Sequence, residues 1–96
     1  MTKKLKITYL KRAAKFLNKN NAITESKVDE LIIAFAKKHF YGHDINIDYK
    51  QMQGNLDNIF RIRKGKLRII IKVQQDEIII EAIIQDIGYR GDIYKK

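Results

Sequence analysis

The chain has 96 residues, enough for one domain with a small core, and residues 1–96 are expected to form a single domain. Its 45% hydrophobic content excludes a disordered chain, and the lack of cysteine excludes disulfides and thiolate metal sites. Twenty Lys and Arg against eleven Asp and Glu give a formal charge of +9, spread over both halves, which points to a polyanionic partner, most often nucleic acid.

The basic amino terminus, Met1 to Lys6, is followed by no signal-type apolar region, and no apolar run nears the roughly 20 residues a bilayer requires. A cytoplasmic protein without a membrane partner is expected. Two histidines cannot build a zinc site, and no cofactor motif is present, so neither a metal nor a small-molecule cofactor is expected.

Lys4 to Thr8 can form a first strand with Leu5 and Ile7 on one face. Leu10, Ala13, Ala14 and Leu17 then follow helical spacing, and Asn18, Asn20 and Asn21 end that helix. Lys11, Lys15 and Lys19 read either as solvent cover or as a track for RNA. Thr24 or Ser26 can cap a second helix whose apolar stripe is Val28, Leu31, Ile32, Phe35 and Ala36. The two helices make an αα-hairpin. His39, four residues after Phe35, reads as a packed or dipole-stabilised imidazole, and His43 as a surface loop residue. Tyr41 to Asp44 closes the helix, Ile45 to Gly54 is expected to cross back as an irregular segment, and Tyr41 and Tyr49 read as core or rim aromatics.

Three strands should follow, near Asn58 to Arg63, Lys66 to Gln74 and Ile78 to Ile87, with Gln75-Asp76-Glu77 as the second turn. The last is apolar on both faces apart from Glu81, which marks an interior strand and leaves Glu81 to pair with Arg68 or Arg61. A two-residue Lys64-Gly65 loop would place Arg63 opposite Lys66, Ile62 opposite Leu67 and Arg61 opposite Arg68. Like charges facing each other cost from a few tenths to about 1 kcal/mol per pair. Asn58 to Gln75 holds six basic residues and no acid, so an external anion is the expected compensation, and this face reads as a phosphate-binding surface. A merely solvated basic face is the alternative reading.

Four segments together carry a resemblance to the RelE/ParE superfamily of bacterial toxins: Tyr9 to Leu17, Asp48 to Gly54, the hairpin Phe60 to Ile70, and Gly88 to Tyr94 with an arginine and a later tyrosine. The resemblance implies an α+β fold, an amino-terminal αα-hairpin on a small antiparallel sheet in the order β-α-α-β-β-β. It also implies a toxin of a type II toxin–antitoxin system. In the RelE branch that toxin is a metal-independent endoribonuclease that cuts messenger RNA on the ribosome and is held inactive by a cognate antitoxin.

On that resemblance Arg61 and Arg63 stand where the branch has two lysines, and Arg68, Arg90 and Tyr94 match its remaining catalytic positions. A ribose 2′-hydroxyl attacks the adjacent phosphorus, and guanidinium forks suit the charge that gathers there. Tyr94 would stack on or orient a base. Lys64, Lys66, Lys72, Tyr89, Lys95 and Lys96, with Lys11 and Lys15, are the candidates for contacting RNA. Arginine, with a pKa above about 12, is a poor general base. The substrate and ribosome, or else His43, Glu81 or Tyr89, would have to take the proton. Arg68 and Arg90 are expected to be exposed. The alternatives are the ParE branch, which inhibits DNA gyrase, and a non-catalytic relative that only binds an antitoxin.

Overall fold

The computed structural model describes residues 3–20, 23–52 and 58–89. In chain order it forms β1 (Lys4–Tyr9), α1 (Lys11–Lys19), α2 (Glu25–Tyr41), β2 (Asp48–Gln51), β3 (Ile59–Lys64), β4 (Leu67–Gln75) and β5 (Ile79–Tyr89). One five-stranded sheet runs β1-β5-β4-β3-β2, giving the expected α+β class. Two details differ from expectation. The segment read as irregular contains β2, which pairs with β3, and the sheet is mixed because β1 pairs with β5 in parallel. An edge strand of four residues carries too little alternation to announce itself.

The helix ends follow their local chemistry. Thr24 Oγ1 accepts from the Lys27 N–H at 3.2 Å, satisfying an otherwise orphaned donor, and Gly42 closes α2 with φ 70°. Asn20 ends α1, with both its backbone N–H and its Nδ2 donating to the Phe16 carbonyl. At the second turn Asp76 accepts from the N–H groups of Ile78 and Ile79 at 2.8 and 2.7 Å, which holds its carboxyl below the usual range.

Both helices cover the same face of the sheet. Ala13 of α1 and Val28, Ile32, Phe35 and Ala36 of α2 are buried with Phe60, Ile62, Ile69, Ile71, Ile80 and Ile84 in one core. Burying a side chain of the size of Ile or Phe contributes about 1.5–3 kcal/mol, so this layer drives folding. In β5 a bulge places Ile70 opposite Asp86 but Ile71 opposite Ile84, leaving Gln85 as the extra residue. The bulge resets the alternation so that Ile80, Ala82 and Ile84 before it and Ile87 after it are all buried. The strand is interior, flanked by β1 and β4.

The β3–β4 hairpin is paired differently from the expected register. Lys64 faces Leu67, Arg63 faces Arg68 and Ile62 faces Ile69, so the loop is Gly65-Lys66. Putting Gly65 second would require a positive φ at Lys64 as well in the type that suits strand twist; with Gly65 first, at φ 57°, glycine alone takes the strained conformation. The pairing moves by two residues, so each side chain keeps its face. No described helix is long and apolar enough to cross a membrane.

Candidate functional site

Because α1 and α2 both lie on one side, alternation sends Arg61, Arg63, Arg68, Ile70, Lys72 and Glu81 to the other, which carries no helix among the described residues. Register arranges that open face in rows. At the hairpin end Asp48, Arg63, Arg68 and Gly88 lie side by side across β2, β3, β4 and β5; the next row is Lys50, Arg61, Ile70 and Asp86. Four cations from three adjacent strands, Lys50, Arg61, Arg63 and Arg68, thus form one patch, with strands about 5 Å apart. Gly88 brings no side chain to screen Arg68.

The three arginines differ in what they already hold. Arg63 donates to Asp48 Oδ2 through Nε and pairs with the same oxygen through Nη2, both side chains being about half exposed. Arg68 is 6% exposed, and its Nη1 donates to the Gly65 carbonyl at 2.6 Å and the Leu67 carbonyl at 3.0 Å. Its expected exposure is therefore corrected: folding back onto its own turn replaces water with carbonyls. The opposed Arg63 and Arg68 are compensated from within the chain, by a carboxylate of the edge strand and by turn carbonyls, and not solely by an external anion. Arg61 is partly buried, and its buried Nε makes no hydrogen bond. A buried unpaired donor costs roughly 1–3 kcal/mol unless a ligand meets it.

Other expected site residues fall elsewhere. Lys64 and Lys66 are exposed at the hairpin tip, and Lys72 lies on the open face beyond Arg61, opposite Ile59 and Ile83. Tyr89 lies on the helix side, its ring edge-on to Phe16 at 5.5 Å, and exposed Lys11 and Lys15 stand on α1 across the sheet from the arginines. Arg90, Tyr94, Lys95 and Lys96 lie outside the described residues. Glu81 does not pair with Arg68 or Arg61: it accepts from Thr8 Oγ1 at 2.7 Å and lies 3.9 Å from Lys6 Nζ, because β1 is its neighbour. His43 is exposed in the loop after α2.

His39 stacks on Phe35 with centroids 5.5 Å apart and an angle of 10°, and its Nδ1 lies 3.1 Å from Tyr49 Oη, yet the residue remains exposed. Tyr49 meets Phe35 edge-on, and Tyr41 Oη donates to the Lys3 carbonyl at 3.0 Å, so both rings serve as packing groups. Lys50, part of the Asp48 to Gly54 segment that carries the resemblance, is not among the expected site residues. Its signal was the polar–apolar alternation of Asp48, Tyr49 and Lys50, hidden in a segment too short to read as a strand.

Two helices over one face of a five-stranded mixed sheet match the RelE-like toxin fold. Among solved structures the chain is similar to a copper-bound mutant toxin from Helicobacter pylori (TM-score 0.68, 20% identity, 94% of this chain and 99% of that one). It is also similar to a YoeB/ParE toxin from Agrobacterium tumefaciens (0.64, 13%, 88% and 98%). A third is the RelB–RelE antitoxin–toxin complex from Methanococcus jannaschii (0.57, 22%, 91% and 94%). At these identities the likeness is one of fold. No protein-family model and no curated protein matches the chain.

Proposed function

We propose that the chain is the toxin of a type II toxin–antitoxin pair and acts as a ribosome-dependent messenger-RNA endonuclease in the cytoplasm. The observation that carries this reading is the patch itself: Arg61, Arg63 and Arg68 occupy adjacent strands of the sheet face opposite α1 and α2. In the proposed reaction the RNA backbone lies across these rows. The unpaired Nε of Arg61 meets a phosphate oxygen, and Arg63 and Arg68 offset the charge that grows as the 2′-hydroxyl attacks phosphorus and the P–O5′ bond breaks, leaving a 2′,3′-cyclic phosphate and a 5′-hydroxyl that takes its proton from water. Arg90 and Tyr94 complete the proposed site from the carboxyl end, and Lys64, Lys66 and Lys72 extend the phosphate track. No histidine faces the patch among the described residues, and Asp48 is engaged by Arg63 and Asp86 by Arg12, so this scheme assigns the proton acceptor to the substrate or the ribosome. The antitoxin partner is supported by the solved complexes of similar folds, RelB–RelE and the YoeB–YefM heterotetramer from Staphylococcus aureus. A partner acidic enough to offset +9 would cover the same face.

Expression without an antitoxin should arrest growth, and primer extension on a translated message should give codon-spaced breaks. Arg61→Gln should lower cleavage by at least about tenfold, the scale of one transition-state charge contact. A second reading, a ParE-like gyrase inhibitor or a non-catalytic antitoxin binder, is favoured by the prior engagement of Arg63 and Arg68. Cleaved gyrase complexes with intact message would establish the inhibitor; neither effect would leave the antitoxin binder.

A further inference from the structure

Asp48 stands directly opposite Arg63 in the β2–β3 register, at the end of the row that holds Arg68. Both Nε and Nη2 of Arg63 turn to a single carboxylate oxygen, Oδ2, so the side-on edge of the guanidinium, one of the two that can fork a phosphate, is already taken by an anion of the chain. Neither partner is deeply buried: the side chains are 48% and 46% exposed, which leaves the pair open to exchange with a solute. Of the other cations of the patch, Lys50 and Arg61 have no carboxylate opposite them in β2 or β3, and Arg68 is held by carbonyls of its own turn.

We infer that Asp48 is a resident competitor for the phosphate seat on Arg63 and sets the selectivity of the patch for linked phosphates over single ones. This rests on reading the open face as phosphate-binding. A lone phosphate must displace a carboxylate tethered in place across the strand pair, whose local concentration it cannot match. A nucleic-acid backbone already anchored at Arg61 and Lys50 presents its next phosphate intramolecularly and can displace it. The displacement itself is small, because exposed ion pairs of this kind hold by at most a factor of about five. Asp48 therefore raises the threshold for binding without closing the site.

The test compares wild type with Asp48→Asn, which keeps the side-chain shape and removes the charge, using two probes: a mixed-sequence single-stranded RNA about ten nucleotides long, and inorganic phosphate. Glu81→Gln, which removes the same charge from the distant end of the open face, is the control for net charge. Asp48→Asn should tighten phosphate binding by up to about fivefold and RNA binding by less, lowering the ratio between the two. The slope of log affinity for RNA against log salt should steepen by up to about 0.7, because in wild type the freed Asp48 carboxylate takes up a cation that offsets one released from the RNA. In an Arg63→Gln background the gain should vanish. Equal gains in Asp48→Asn and Glu81→Gln, or an undiminished gain without Arg63, would overturn the inference while leaving the phosphate-binding face intact. Failure of wild type and Asp48→Asn alike to bind RNA would remove that reading of the face, and this inference with it. Circular dichroism identifies any variant that does not fold, in which case Asp48→Ser takes its place.

Discussion

Arg68 serves the hairpin and the patch at once. Its guanidinium ties down two carbonyls of its own turn, so Arg68→Ala should lower unfolding stability by about 1–3 kcal/mol, read as a reduced urea midpoint with unchanged slope. Arg61→Gln should leave that midpoint unchanged or raise it, since the buried Nε it removes has no partner to lose and costs stability where it stands. Activity lost in Arg61→Gln is then a property of the face, whereas activity lost in Arg68→Ala must be corrected for unfolded protein. Tyr9 makes a different kind of link: its Oη donates to Asp29 Oδ1 at 2.6 Å, joining β1 to α2. Burial first, and then the Asp29 carboxylate, push its phenol well above the ordinary value of about 10. A raised folded-state pKa gives a contribution fully present below that ordinary value and lost as pH rises beyond it. Wild type should therefore lose stability above about pH 10, and Tyr9→Phe should flatten that arm of the pH–stability curve. An unchanged alkaline slope in Tyr9→Phe would exclude this linkage.

The β3–β4 hairpin is the element on which the site depends. Gly65 has open space where a Cβ would sit, so Gly65→Ala meets no clash and costs only the backbone strain of φ 57°, about 1–2 kcal/mol. Gly65→Asn should recover part of that, because Asn tolerates the left-handed region; the order Gly, Asn, Ala in denaturation midpoint checks the assignment of the loop. The existence of this hairpin was legible from alternation on either side of Lys64-Gly65, but its register was not. Pairings that differ by two residues bury the same side chains, so hydrophobic pattern cannot choose between them. The choice falls on how many residues must adopt positive φ, a property of the loop. The helices were more legible, since Thr24, the stripe Val28 to Ala36 and Gly42 carry cap and period within one continuous segment.

At the scale of the molecule, placing both helices on one face leaves the other to the charged side chains. Lys and Arg avoid burial without partners, so a sheet covered on both sides could not have kept Arg61, Arg63 and Arg68 in one field. That basic hairpin residues share a face follows from period-two alternation, which is local and was readable. The partners of those residues were not: Asp48 reaches Arg63 only because β2 pairs at the edge, and Glu81 meets Lys6 and Thr8 only because β1 returns beside β5 in parallel. Sequence by itself determined the α+β class, the two helices, the interior character of β5 and the basic patch, because each is written in the spacing of nearby residues. Tertiary structure alone decided strand order, hairpin register and which arginine is already paired. Contacts between residues 15 to 73 positions apart depend on how elements compete for neighbours, and no local pattern encodes that competition.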